Sequence, residues 1–464
     1  MFDTLSASPL VTPVLDPGFT PAATWTRHYR SLAADSPGKR MVTFTIARPT
    51  DEAWTYQSEM LPDMPEYTAL NWRYAERLVK FLLWAWGGNR IYIEGAREIV
   101  ALLRQTYRPD ATRSFDYDFM GDTCFGQPLI IEAGLLETTQ ARDATNNNSR
   151  KLDGCRIGFD LGGSDRKCAA LIDGEVVYSE EIKWDPYFQQ DPEYHLAGIR
   201  DSLLLAAKHL PRVDAIGGSA AGIYIANEPR VASLFRGVSP EDFDRVIRGI
   251  FHQLEREWQA PLVVANDGDV TALAGSMSLG DSAVLGLSMG TSQAAGYVDH
   301  EGEVTGWLNE LAFAPIDYRL DAPIDEWSGD AGCGVQYFSQ QAVARLIPYS
   351  KLKVDSELRL PEKLEAVQAA MKDGDERAAA IYDTIGVYLG YALAHYSDFY
   401  NFRHLLLLGR VSSGEGGQHI LKHARIVLEK EFPELAAKIK LSTPDEKMKR
   451  HGQAIAAASL PTLN

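Results

Sequence analysis

Gly158-Phe159-Asp160-Leu161-Gly162-Gly163-Ser164-Asp165-Arg166-Lys167 is the stretch on which the reading of this 464-residue chain turns. Residues 156–159 form a short apolar run of strand type. An acid closes it, two glycines follow, and then come a hydroxyl and a base. Without a Cβ, Gly162 and Gly163 let backbone N–H groups approach a phosphate closely. Asp160 is placed to hold a hydrated Mg²⁺. The plainer alternative is a tight hairpin turn with a capping aspartate. The P-loop pattern G-x-x-x-x-G-K-[ST] does not occur here.

Three further turns of this kind lie downstream. In Val263-Val264-Ala265-Asn266-Asp267-Gly268-Asp269 a strand ends in Asn-Asp and a helix begins. Asp267 is there a candidate general base for a substrate hydroxyl; the alternative makes Asp267 or Asp269 a helix cap. In Leu287-Ser288-Met289-Gly290-Thr291-Ser292 small residues after a strand suit a second phosphate cradle, or a hairpin turn running on to Tyr297. After the apolar run 405–408, Gly409-Arg410-Val411-Ser412-Ser413-Gly414 offers small residues to the flat face of an adenine, or else a strand-to-helix loop.

Around these turns the pattern is regular α/β. Residues 168–172 and 175–178 flank Asp173-Gly174, a hairpin signal. Helices are expected over 194–210, 270–277 and 378–400, and strands over 213–216, 262–265 and 283–287. Ser239-Pro240-Glu241-Asp242 is a helix start. A last helix is expected over 445–460. Ahead of all this, residues 67–86 and 96–107 read as helices and 91–93 as a strand, while 1–65 shows little periodicity. The Asn- and Thr-rich stretch 138–153 has linker composition and sets a boundary near residue 150.

Composition narrows the classes. With 45% hydrophobic and 23% charged residues the chain is neither disordered nor a disulfide scaffold. A net charge of −17 repels a phosphate backbone, so nucleic-acid binding is not expected. Acidic residues outnumber basic ones within 1–150 as well, which counts against a groove-binding N-terminal domain. Cys124, Cys155, Cys168 and Cys333 have no paired zinc spacing and read as free thiols of a reducing compartment. No signal-peptide pattern opens the chain, and the run 81–86 is far too short to span a bilayer. A cytoplasmic protein without a membrane partner is expected. Five of the nine tryptophans fall in the first 150 residues, and they read as core or interface rather than as a sugar-stacking surface.

The four turns, in this order, resemble the actin-like sugar-kinase superfamily, and within it the ROK group (repressors, open reading frames and kinases). The resemblance spans residues 155–460. It implies a two-lobed α/β fold of ribonuclease H-like type with an extra N-terminal region of unknown role, residues 1–150. The first lobe would comprise 151–265 with the C-terminal helix 446–464, and the second 266–445. It implies an ATP-dependent carbohydrate kinase that moves the γ-phosphoryl group to a sugar hydroxyl, with ATP and Mg²⁺ as cofactors. ATP would lie in a cleft, its phosphates between the Gly162-Gly163-Ser164 and Gly290-Thr291 turns, with Lys167 in the same nucleotide-binding set. Gly409, Ser412 and Gly414 would sit near adenosine. Asp267 would be the base, Asn266 a sugar contact, and Asp160 the magnesium residue. Glu310, within Gly306-Trp307-Leu308-Asn309-Glu310-Leu311-Ala312-Phe313, matches the family's sugar-binding Glu. A homodimer is the family's usual state.

The departures are specific. The family's His is Phe313 here. Its zinc run, Cys-x-Cys-Gly-x-x-Gly-Cys, reads Glu326-Trp327-Ser328-Gly329-Asp330-Ala331-Gly332-Cys333, so no structural zinc is expected. Arg410 replaces an adenosine-loop glycine, and Ser233-Leu234 stands where many members carry Asn-Leu. The altered His and zinc run motivate the alternative of a non-catalytic sugar or nucleotide sensor on the same fold.

Overall fold

The computed structural model describes residues 9–50, 52–136, 152–444 and 448–463. Most of the expected linker, residues 137–151, lies outside the described residues. The chain divides into two compact units. One comprises residues 1–144, 287–295 and 307–443; the other 145–286, 296–306 and 444–464.

The first unit opens with a region in which sequence periodicity was weak. Helix α1 (Ala22–Asp35) precedes a hairpin of strands β1 (Arg40–Ala47) and β2 (Ala53–Met60). Then come α2 (Thr68–Trp86), β3 (Arg90–Glu94), α3 (Arg97–Thr106), the short α4 (Ser114–Asp118) and β4 (Ile130–Ala133). The sheet order is β2-β1-β3-β4. Helix α2 is buried around nearly its whole circumference, including Glu76, Arg77 and Lys80. Trp25, Trp54, Trp84 and Trp86 are buried here, so they serve as core.

In the second unit β5 (Cys155–Leu161), β6 (Asp165–Ile172) and β7 (Glu175–Lys183) form an antiparallel meander. Asp173 and Gly174 take positive φ at its second turn, as the Asp-Gly signal requires. The crossover helix Pro192–Ala207 leads to β8 (Ala215–Ala220), parallel to β5. The small hairpin β9 (Ile223–Ile225) and β10 (Glu228–Val231) follows, then β11 (Leu262–Asn266), parallel to β8. The resulting order is β11-β8-β5-β6-β7. Ile157, Phe159, Ile216 and Val264 fill its core with Leu203 and Phe251 of flanking helices. Ala454 and Ala458, in and just beyond the C-terminal helix Met448–Ala457, pack against Ala169 and Leu171 of β6.

A four-stranded sheet, in the order β13-β12-β14-β15, is built from β12 (Val284–Met289), β13 (Gln293–Val298), β14 (His404–Leu408) and β15 (Lys440–Ser442). The 378–400 expectation appears as helix Glu376–Tyr396, with Ile381, Ile385, Tyr388, Leu389 and Leu393 buried. All four cysteines are buried. Among the described residues no helix is long and apolar enough to cross a membrane.

Candidate active site

In the second unit three parallel strands, β5, β8 and β11, bring their carboxyl ends to one edge. In open α/β sheets that edge is where ligands bind. Asp160 near the end of β5 lies beside Ser219 of β8 in the ladder, and the Ser219 hydroxyl donates to it at 2.7 Å. On its other side Lys167 is its cross-strand partner, with Nζ 3.7 Å from Asp160 and 3.4 Å from Asp165. Burial pushes the Asp160 carboxyl up, while Ser219 and Lys167 pull against that shift.

β11 runs directly into helix Asp267–Leu279. The cap expected of Asp267 or Asp269 is supplied instead by Asn266. Its Oδ1 accepts from the Gly268 N–H at 2.7 Å, and its Nδ2 donates to the Gly222 carbonyl at 2.6 Å. Asn266, expected as a sugar contact, thus has both ends of its amide on backbone. Asp269 is buried and accepts from the Tyr297 N–H at 3.2 Å. Asp267 is thereby left half-buried at the first turn of the helix. Burial, then the Asp160 charge, push its carboxyl up to about 6, against the Gly268 N–H.

The turn between β5 and β6 is both a hairpin and a candidate phosphate cradle. The Gly162 N–H donates to the Asp165 carbonyl at 2.9 Å. The Trp184 indole donates to the Gly162 carbonyl at 2.7 Å, and the Trp184 N–H to the Ser164 carbonyl at 3.2 Å. Gly163 is required by a close approach: a Cβ there would lie 2.0 Å from the Tyr187 hydroxyl. The Tyr187 ring is covered in turn by the Arg236 guanidinium, 3.9 Å from its centroid. Neither Tyr187 nor Arg236 carries a motif, so sequence reading missed both. Gly163→Ala should therefore destabilise the protein by about 1–3 kcal/mol through overpacking. Adding Tyr187→Ala should recover part of that loss in thermal melts; full additivity of the two changes would refute the contact.

The first unit holds the other predicted turns. The Gly290 N–H donates to the Ser292 carbonyl at 2.9 Å, and the Gly290 carbonyl accepts from Gln340 at 2.9 Å. Thr291 is exposed at the tip. The loop after β14 meets the same strand end. Gly409, at φ +95°, brings the chain so close that a Cβ would fall 2.4 Å from the Met289 carbonyl, which also accepts from the Val411 N–H at 3.0 Å. Ser412 is buried and donates to the Gly409 carbonyl at 3.1 Å. Gly414 takes the N-terminal cap position of helix Glu415–Glu431. Gly290, Thr291, Gly409, Ser412 and Gly414 therefore gather around the ends of β12 and β14. Arg410 is exposed, and its carbonyl accepts from Gln368 at 2.8 Å.

Glu310 lies on a separate segment of this unit. The N–H groups of Leu308, Asn309 and Glu310 donate to the carbonyls of Trp86, Ala85 and Trp84, at 3.2, 2.9 and 2.9 Å. Phe313, which the resemblance sets where the ROK group has a His, packs against Trp84 with ring centroids 4.4 Å apart. In the run 326–333 Ser328 donates through N–H and hydroxyl to Asp325, both at 2.7 Å, and the Cys333 thiol lies 3.7 Å from Asp330. Among the described residues no group of three or more His, Cys, Asp or Glu side chains is arranged to hold a metal ion.

No family model matches the chain. A glucokinase of Halalkalibacterium halodurans is 28% identical to it over 285 residues, 57% of this chain and 82% of that protein. Among solved structures, a ROK hexokinase from Thermus thermophilus aligns with a TM-score of 0.51 at 18% identity, over 66% of this chain and 97% of the other. A ROK family transcriptional regulator, a homologue of the E. coli MLC protein, aligns with a TM-score of 0.51 at 20% identity, over 67% and 78%. The two structural likenesses carry the fold alone. The chain thus has the two-lobed α/β fold of those ROK structures over about two-thirds of its length and is similar in sequence to a glucokinase, with further residues beyond the matched part.

Proposed function

We propose that this chain is an ATP-dependent carbohydrate kinase in which Asp267 accepts the proton of the attacking sugar hydroxyl. The observation that carries the reading is the pair Asp160 and Asp267, set at the carboxyl ends of parallel strands in one sheet and close enough for the charge of one to raise the other. The glucokinase likeness supports a sugar as acceptor and makes glucose the first to test.

Phosphoryl transfer needs alignment and charge neutralisation more than covalent chemistry. A sugar alcohol is a poor nucleophile, and a half-buried carboxylate with its pKa lifted toward neutrality is a better base than an exposed one. The Gly162-Gly163-Ser164 and Gly290-Thr291 turns, closed by the Gly162 and Gly290 N–H groups, would offer the backbone N–H groups of Gly163, Ser164 and Thr291 to phosphate oxygens. Gly409, Ser412 and Gly414 would lie along the adenosine, and Lys167 would balance charge beside Asp160. Glu310 would hydrogen-bond the sugar.

Asp160 fits magnesium. Its buried carboxylate is a hard oxygen donor, and Mg²⁺ takes one or two protein carboxylates together with waters and phosphate oxygens. When bound, the ion would neutralise charge on the transferring phosphoryl group.

The test is ADP release in a coupled assay with glucose and a panel of other sugars. A sugar-dependent rate abolished by EDTA supports the reading; no rate with any sugar overturns it. A sensor on the same fold is the second reading, favoured by the ROK regulator at equal TM-score and by the altered His and zinc-run positions. A sugar-induced rise in melting temperature without ADP release would select it.

A further inference from the structure

We infer that α2 of the N-terminal region braces the Glu310 segment through a buried charge cluster centred on Asp330, which makes Arg77, Lys80 and Arg113 positioning residues for the sugar site. The inference rests on the reading of Glu310 as a sugar contact.

Asp330 sits within the run where the family carries zinc ligands. Here it meets three cations: Arg113 Nη1 at 2.6 Å, Arg77 Nη1 at 3.0 Å and Lys80 Nζ at 3.5 Å. Glu76 bridges Arg77 and Arg113 at 2.6 and 2.7 Å. Asp116 accepts from Lys80 at 2.8 Å and from the Trp84 indole at 2.6 Å. All six charged groups are buried, and three cations balance three carboxylates. Burial alone would raise the Asp330 carboxyl, but Arg77 and Lys80 hold it below the usual carboxylate range. In so dry a setting each charge is tied to its partners in a fixed geometry.

The cluster is joined to Glu310 by a short path. Past Asp330, Gly332 accepts from Ile316 at 2.8 Å, Gly334 donates to Ala314 at 3.0 Å, and Val335 donates to Ala312 at 2.9 Å. That pairing fixes 312–316, and the Phe313 N–H donates to the Glu310 carbonyl at 3.1 Å. From the opposite side, the last turn of α2 supplies the carbonyls that receive the 308–310 N–H groups. Such terminal carbonyls have no partner within their own helix. One helix therefore holds the segment at both ends, by charge at 330 and by backbone at 308–310, with the Trp84 and Phe313 rings packed between.

The test compares wild type with Asp330→Asn, which keeps the shape and removes the charge. A displaced Glu310 should cost on the order of 100-fold in kcat/KM for glucose, carried by KM for glucose, while KM for ATP stays unchanged. The amides of 308–310 should exchange hydrogen faster than in wild type, and those of β5 and β8 at the same rate. Should Asp330→Asn not fold, Trp84→Phe keeps an aromatic ring, removes one donor to Asp116, and should shift both readouts in the same direction. A folded variant with unchanged glucose KM and unchanged 308–310 exchange overturns the inference. Inactivity of the wild type toward every sugar overturns the kinase reading instead, and the exchange data still decide the brace.

Discussion

Asp267→Asn is expected to leave the fold intact and to lower turnover with sugar by about 10²–10⁴, the range of acid–base groups. The side chain keeps its size and its place at the head of the helix, but the amide cannot take a proton. The pH dependence supplies a second measurement. Burial and the Asp160 charge hold the Asp267 carboxyl near 6, so kcat/KM should rise as pH increases through about 6, and the variant should lack that limb. Stability runs the other way. The native state binds a proton on Asp267 up to about pH 6, whereas the unfolded chain releases it near the ordinary value of 3.8. Ionising Asp267 therefore costs stability above pH 6. The variant should melt higher than wild type at pH 7–8, and its advantage should fade as pH falls from 6 to 4. Near-wild-type turnover in Asp267→Asn would remove this residue from the chemistry.

Breaking the cluster from the other partner has the largest expected effect on stability. Arg77→Ala leaves Glu76 and Asp330 facing less positive charge in a buried setting, and loss of one partner of such a pair costs about 3–5 kcal/mol. Urea unfolding followed by intrinsic fluorescence would measure it. The double change Arg77→Met with Asp330→Leu removes one charge of each sign and leaves the remaining four balanced. It should cost less than Arg77→Ala alone, because apolar groups of similar volume replace a desolvated ion pair at little expense. A double variant weaker than the single one would show that the cluster works through geometry beyond charge balance.

Much of the second unit was legible because its signals are local. An acid, two glycines and a hydroxyl after an apolar run announce a strand and a turn, and Asp173-Gly174 announces a hairpin, whatever lies elsewhere in the chain. Asn266 was read for its place in a motif, yet the first free N–H groups of the following helix take its side chain as a cap. The β1–β2 hairpin was missed because β1 is buried on both faces along most of its length, which erases the period-two alternation that marks a strand. Tyr187 and Arg236 matter only through folding that brings them over Gly163. The clue to the cluster was present in α2, where Glu76, Arg77 and Lys80 interrupt an apolar helix; Asp330, the partner that Arg77 and Lys80 share, cannot be read from that helix alone.

The bond from Arg77 to Asp330 also bears on how this protein can be cut down. A shortened version beginning after residue 151 would look complete by family resemblance, since every recognised turn lies beyond that point. It would nevertheless strand an aspartate in an oily interior with no counter-ion, and it would uncover the backbone amides of Leu308, Asn309 and Glu310. Trimming for expression or crystallisation should therefore spare α2 and α4, and homology alone is a poor guide to where this polypeptide may be divided.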